Sequence, residues 1–309
     1  ALIGVVLASC GDDGTATSSG AGGSGGSAGS GGATSSSDLA ISPPTVAVEV
    51  KLLEPAAPIS FTATSTPTGG VGSDVTTQAE WTTDNPSLGI IAAGSFTPAG
   101  FAGTATISAS FGPATASAEV QIKVVGDVVI DGEAAIVDAF DAATPDPNAD
   151  NAPAFEYPED GVVLPSNLPP IETQWSAGIG NTAYRVRLQA EGLLDVAFYT
   201  SQRELMLPPA IWETIKLSTF DTPISLSVDG LGPASELRQG APRTLTISAD
   251  SIDDSAIYVW QSSTGSFRVL DIAAGTDVAL PSNAAALAPG QPCSGCHRIS
   301  RDEIGRAHV

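Results

Sequence analysis

The apolar and polar positions divide this chain into stretches of different character. Residues 2–7 are a short apolar run that leads through small residues to one cysteine, Cys10. Residues 11–37 contain no aromatic and no large aliphatic side chain, so they cannot bury enough apolar surface to offset their chain entropy. Disorder is expected there, and a Gly/Ser coil of that length spans about 30 Å r.m.s.. From Leu39 to about Val125 the pattern changes to alternation. Residues 45–50, 59–64, 104–111 and 116–124 each place apolar side chains at every second position, the period of a half-buried strand. Gly69-Gly70, Asn85-Pro86, Gly94, Pro98, Gly100 and Gly112-Pro113 punctuate these runs. Short strands at such spacing predict a small all-β sandwich.

A composition shift follows. Residues 126–154 read as an acidic linker, with 127–130 as a linking strand. Asp138, Asp141, Asp146 and Asp150 lie here among prolines and alanines, and Glu156, Glu159 and Asp160 extend the run. Calcium favours such oxygens, but the regular calcium-loop spacing is absent, and a solvated acidic loop is the simpler expectation. Residues 155–282 read as a second β unit. In residues 182–189, Tyr184, Val186 and Leu188 share one face, and Arg185 and Arg187 share the other. Further strands are expected at 194–200, 224–228, 243–248 and 256–260. One short helix is expected within 207–216, where proline is permitted in the first turn. The fold class is therefore all-β: two tandem β-sandwiches after a disordered tether.

Charge and cysteine content narrow the function. The 309 residues carry 12 Lys+Arg against 34 Asp+Glu, a net charge of -22. Such a surface repels phosphate, so nucleic acid is not an expected partner. No later segment approaches the ~20 apolar residues of a membrane helix. The cysteines are Cys10, Cys293 and Cys296, which leaves none for a structural disulfide within either sandwich. No Ser/His/Asp triad can be assembled, because the histidines are His297, which belongs to the cysteine motif, and His308, which lies in a suspect terminus. No phosphate loop or dinucleotide fingerprint is present. A pair of glycosidase carboxylates is not singled out by anything among the acids. No catalytic residue is assigned.

Several stretches resemble known families. Leu7-Ala8-Ser9-Cys10 resembles the lipobox of bacterial lipoprotein signal peptides, which implies that Cys10 is acylated and becomes the mature N-terminus. Residues 1–10 would then be a signal remnant and 11–37 a tether. Multiple acyl chains anchor stably where one holds only marginally. The alternative is a clipped N-terminal strand. The run from Trp81 to Leu88, the Gly94-Ser95-Phe96-Thr97 corner and residues 99–109 together resemble bacterial Ig-like (group 2) domains. This implies a sandwich over residues 38–125, with Trp81 as a core anchor and an extracytoplasmic setting. Residues 155–282 resemble a fibronectin type III-like sandwich. The similarity lies in the proline–glycine–leucine opening, Trp175 at the end of an inner strand, and the Tyr184-x-Val186-x-Leu188 strand. Trp175, Trp212, Tyr258 and Trp260 read as core residues, with an aromatic glycan groove as the alternative.

Cys293-Ser294-Gly295-Cys296-His297, within the 283–302 segment, matches the C-x-x-C-H attachment signal of c-type haem. In that chemistry the two thiols join the haem vinyl groups and the adjacent imidazole is the proximal iron ligand. Cys293 and Cys296 are thus candidates for covalent attachment of haem c, and His297 for the iron. Zinc would need a fourth ligand, and a redox or structural disulfide would use the same two thiols. Met206, the sole methionine, is distant in sequence as a distal ligand. Residues 296–302 resemble a junction that leads into β-propeller repeats. Residues 304–309 are what one reading frame of a common sequencing adapter encodes. Genuine sequence is therefore expected to end at Asp302, with 303–309 an artefact and Glu303 a chimaeric codon.

These readings converge on an exported, lipid-anchored cell-envelope protein, at the outer membrane or cell surface. Its Ig-like modules would form a stalk that presents the CxxCH segment, with the membrane as partner through Cys10. The alternative is a non-enzymatic adhesive or structural surface protein that binds surface proteins or glycans, with its cysteines as a disulfide staple.

Overall fold

The computed structural model describes residues 37–252, 256–261, 266–271 and 276–279. Alternating residues become strands throughout. The first half runs β1 (Ser37–Ser42), β2 (Thr45–Lys51), β3 (Ile59–Ser60), β4 (Thr62–Pro67), β5 (Ser73–Asp74), β6 (Glu80–Thr83), β7 (Gly89–Ala92), β8 (Ser95–Pro98), β9 (Gly103–Phe111) and β10 (Ala114–Val129). One layer contains β1–β4–β5 and β3–β8–β7, and the other is β2–β10–β9–β6. Ile107, Val120 and Ile122 point inward from β9 and β10 and meet Phe61 and Phe96 from the opposite layer, all of them buried. Ser108, Ser110, Ser117, Glu119 and Gln121 alternate with those inward residues and face solvent or the rim. This in/out alternation is the division an antiparallel sheet with one dry face requires. Trp81 packs at the edge of the core and donates its indole N–H to the Thr76 carbonyl at 2.8 Å.

The second half comprises α1 (Ala135–Asp141), β11 (Thr144–Pro145), β12 (Ala154–Tyr157), β13 (Val162–Leu164), β14 (Glu172–Ser176), β15 (Ala183–Ala190), β16 (Leu194–Thr200) and β17 (Glu204–Met206). It continues through α2 (Pro209–Thr219), β18 (Pro223–Leu231), β19 (Glu236–Gln239) and β20 (Arg243–Ile247). β12–β14–β17 forms one layer and β16–β15–β18, flanked by β19 and β20, the other. Trp175 stands between them, edge-on to Phe155 at 6.3 Å and to Tyr184 at 5.6 Å. α2 starts at Pro209, as a proline-tolerant first turn allows. It carries the crossover from β17 to β18 and buries Ile211, Trp212 and Ile215. A third, separate sheet consists of β21 (Ala256–Gln261), β22 (Ser266–Asp271) and β23 (Thr276–Ala279).

Residues 126–154, read from composition as a linker, form ordered structure. The last four residues of β10 lie in this stretch, and α1 and β11 follow them. β10 is 16 residues long, which at 3.2–3.4 Å per residue is about 50 Å. Its Ala114–Ile122 portion pairs antiparallel with β9, and Glu119–Val125 pairs parallel with β2. Val124–Val129 then pairs parallel with β16. Successive backbone groups of a strand point to opposite edges. The Val125 carbonyl accepts from Leu52 N–H on the β2 side at 2.9 Å. Val124 N–H donates to the Leu193 carbonyl at 2.8 Å and Ile130 N–H to the Tyr199 carbonyl at 2.9 Å, on the other side. Even-numbered residues therefore serve the edge shared by β9 and β16, which lie one beyond the other along it. The second sandwich is stacked on the end of the first, and one strand belongs to both.

The hydrophobic core follows the same course. A single cluster of buried residues runs from Ile41 through Val124 and Val196 to Ile247 without a break between the halves. Away from β10 the halves are tied by the Ala102 N–H, which donates to Ser218 Oγ on α2 at 2.9 Å in a buried position.

Gly94 tests the packing of the first sandwich. Its φ is +80°, and a Cβ there would overlap the Phe61 carbonyl oxygen and the Thr76 methyl. Gly112 also has positive φ, at +59°, but open space around it. Gly94→Ala is expected to cost about 2 kcal/mol or more, and Gly112→Ala about 1 kcal/mol, measured by urea unfolding. Equal costs would mean that the Gly94 corner is looser than described.

Candidate functional site

Cys10, Cys293, Cys296 and His297 lie outside the described residues, as do the tether and residues 303–309. The described residues bring together two polar assemblies and one shallow groove. Met206 stands apart from them on the β17 edge strand and is 57% exposed.

The acidic run does not converge. Asp138 and Asp141 are on α1, and Asp160 accepts the Thr244 N–H at 2.7 Å. Asp146 accepts from Asn148 N–H at 2.9 Å, Asn151 Nδ2 at 3.0 Å and Arg238 Nε at 3.0 Å. The Asn151 amide, then the Asn148 N–H and then Arg238 hold the Asp146 carboxyl below the ordinary range. A guanidinium thus occupies the place where a cation would satisfy these oxygens. Among the described residues no group of three His, Cys, Asp or Glu side chains is placed to hold a metal ion.

A second polar assembly lies beneath α1. Arg185, expected with Arg187 on an open strand face, is largely covered: its side chain is 13% exposed. α1 crosses that end of the sheet, with Phe140 edge-on to Tyr199 at 5.6 Å and beneath the Arg185 guanidinium at 5.4 Å. Arg185 donates from Nε and Nη2 to Asp229 Oδ2 at 3.2 and 2.9 Å. Burial pushes the Asp229 carboxyl up, against the pull of Arg185. Tyr199 donates to Asp127 Oδ1 at 2.9 Å, and burial, then Asp127, push its phenol upward. Nothing here offers a free nucleophile or base, since each group is spent on a neighbour. The signals for this pairing were present in the sequence as Asp229 within an apolar strand and as the Ile136, Val137 and Phe140 pattern of a short amphipathic helix. Neither indicated that the two elements meet.

Outside α1 the charges form a partly exposed row across the joint. Lys123 on β10 lies 3.7 Å from Glu49 on β2 and 3.8 Å from Asp195 on β16, and Asp195 receives both Nε and Nη2 of Arg187 at 2.8 and 2.9 Å. A shallow groove of about 360 Å³ crosses β6, β9 and β10, lined by Glu80, Thr82, Ser108, Ser110, Thr115 and Ser117. It holds hydroxyls and one carboxylate but no aromatic platform. The buried tryptophans do not supply one. Trp175 and Trp212 are each 2% exposed, and Trp212 donates to the Leu168 carbonyl at 3.0 Å. Among the described residues no helix is long and apolar enough to cross a membrane.

Paired layers, in/out alternation and the central tryptophan define the class: an all-β protein built from Ig/fibronectin-like sandwiches. No protein-family model matches the sequence, and no curated protein does. Among solved structures, domains of titin match at 13% identity over 65% of this chain and 62% of theirs, with a TM-score of 0.21. The N-terminal four Ig domains of Dscam1 match at 9% identity over 66% and 44%, with a TM-score of 0.21. Domains 1–6 of the surface layer protein SbsC match at 13% identity over 72% and 27%, with a TM-score of 0.21. The chain spans less than two thirds of the length of each of these. With scores this low, the class rests on the strand order itself.

The two polar assemblies and the exposed row differ in what their loss should cost. Asp229→Ala removes the close, buried counter-charge of Arg185 and leaves it the exposed Asp141 carboxylate at 3.9 Å, and is expected to cost about 3 kcal/mol or more. Asp195→Ala removes a half-exposed partner and should cost under about 1 kcal/mol by the same urea titration. For Asp146 the native pKa is depressed, so its contribution is present above the unfolded value, near about pH 4, and is lost as pH falls through the native value. Asp146→Asn should therefore melt below the parent at about pH 6, with the gap narrowing as pH falls below about 4. A gap that persists at low pH would show that the Asp146 contribution is not ionic.

Proposed function

We propose that this chain is a lipid-anchored protein of a bacterial cell envelope, whose sandwiches serve as a stalk that presents the Cys293–His297 segment. Cys10 is the lipid attachment point in this reading, and residues 11–37 are the tether. The observation that supports a stalk is β10. A strand shared by both sandwiches sets their mutual orientation by paired ladders, where a free linker would leave it variable. The side chains of the described halves are consistent with a structural role, since Arg185 pairs with Asp229, Arg238 pairs with Asp146, and Trp175 and Trp212 are enclosed. The net charge of -22 suits solubility outside the cell and disfavours nucleic acid as a partner.

In the same proposal, Cys293 and Cys296 are the attachment points for covalent haem, with His297 on the iron. A bound haem would add electron transfer or ligand sensing at the far end of the stalk. The competing reading keeps the stalk and makes the cysteines a staple, with adhesion to surface proteins or glycans as the business of the sandwiches.

The test is to express the whole chain with its natural leader and flanking sequence in a host that matures c-type cytochromes. Washed membranes would be probed for the protein, and the denatured gel stained for haem. Membrane-bound, haem-positive protein is expected, with haem lost on Cys293→Ala and Cys296→Ala and membrane association lost on Cys10→Ala. Membrane-bound protein without haem would favour the adhesive reading. Protein that washes off the membrane would overturn the anchoring.

A further inference from the structure

We infer that β10 couples the stability of the two sandwiches, so that the second cannot stay folded when the first opens. The coupling is a property of the fold and holds whether or not the chain is anchored or carries haem.

Among the described residues, β16 is joined on one side by β15 and on the other only by Val124–Val129 of β10. Those six residues are the end of a strand whose first part is held by β9 and β2 in the other sandwich. Three of them also belong to the core. Val124 is fully buried, Val128 packs on the shared cluster, and Val129 packs beside Tyr199 and Phe140 under α1. When the first sandwich opens, β10 loses its ladders with β2 and β9. Its free end then holds β16 by a parallel ladder alone, at the end of a strand that has become unfolded chain. The second sandwich would have to expose the backbone groups of β16 and the apolar side of Val196 and Phe198, both fully buried in the fold. The remaining ties act in the same sense, because Ala102 N–H to Ser218 Oγ and Lys123 to Asp195 each need both halves in place.

The alternation along β10 supplies a selective way to break the coupling. Even-numbered residues direct their N–H groups to β16, so Val128→Pro deletes a bond of the shared ladder. Asp127→Pro deletes an N–H directed to the opposite edge, which no strand pairs with beyond Lys51 among the described residues; it also removes the carboxylate that accepts from Tyr199, so Asp127→Ala is measured beside it to isolate the backbone change. The two substitutions sit side by side and differ in which ladder they touch.

The experiment is residue-resolved amide hydrogen exchange on the whole chain, with urea unfolding followed in parallel. The parent is expected to unfold in one transition. Ile107→Ala lies deep in the first sandwich, remote from β16. It should lower the protection of the slowest amides of β15 and β18 by the same factor as those of β9, on the order of a hundredfold. Val128→Pro should split the transition in two, with β15 and β18 losing protection at lower urea than β9, while Asp127→Pro, compared with Asp127→Ala, keeps one transition. If Ile107→Ala proves too unstable to prepare, Ala105→Gly supplies a milder perturbation of the same strand, read in the same way. Loss of protection confined to the first sandwich in either variant, or two transitions in the parent, would overturn the coupling.

Discussion

Two parallel ladders on one strand govern this structure. Parallel pairing in a sheet ordinarily needs a crossover of a dozen residues or more between the partners. β10 pairs in parallel with β2, more than sixty positions earlier, and again with β16, about seventy positions later. Both contacts are thus far apart in sequence, and neither can form before most of its sandwich exists. Closing such loops costs entropy that grows slowly with length but must be met before the contact contributes. The structure meets it by giving both ladders the same central strand, so that ordering β10 once serves two layers.

This sharing explains the composition of the strand. Its first part alternates strictly, with Ala118, Val120, Ile122 and Val124 inward and Glu119, Gln121 and Lys123 outward. Past Val124 the alternation relaxes into Val125-Gly126-Asp127-Val128-Val129. A half-buried sheet has one wet face, but α1 covers part of the wet face here, so Val129 is apolar where the pattern calls for a polar residue. Gly126 sits at the joint because Leu52 crosses there, with its Cβ only 3.1 Å from where a side-chain Cβ on residue 126 would be. A glycine followed by an acid is also how a boundary looks in sequence, which is why the joint reads as a linker.

The elements set by local pattern were legible. Period-two alternation located the strands that carry Ile107, Val120, Val186 and Leu188, and the paired prolines before Ile211 located the one long helix. Trp81 and Trp175 were recognisable as anchors because large aromatic residues within alternating runs have few other places to go. What depended on distant partners was not legible. Nothing near Arg185 reveals that α1 lies over it, and nothing near Asp146 reveals Arg238, ninety-two positions away. The same acid in the same sequence context could serve a metal, water or a guanidinium, and only the fold chooses. The cysteine motif is the reverse case. Its spacing is readable to five residues, whereas Cys293–His297 lies outside the residues whose placement the structure describes.

The buried polar groups bear on specificity more than on stability. Arg185 and Asp229 could in principle be replaced by well-packed apolar residues with little loss, since desolvating both charges offsets much of their attraction. The pair nevertheless pins one register. A slip of one residue between β15 and β18 would turn Asp229 away from Arg185 and leave a buried ion without a partner, a larger penalty than the slip of an apolar pair. The row Glu49–Lys123–Asp195–Arg187 acts similarly across the joint. Each exposed pair contributes little on its own, but the row is complete only when β2, β10, β16 and β15 are all in register. A protein joined through one strand needs such devices, because a misregistered β10 would misplace two sandwiches at once.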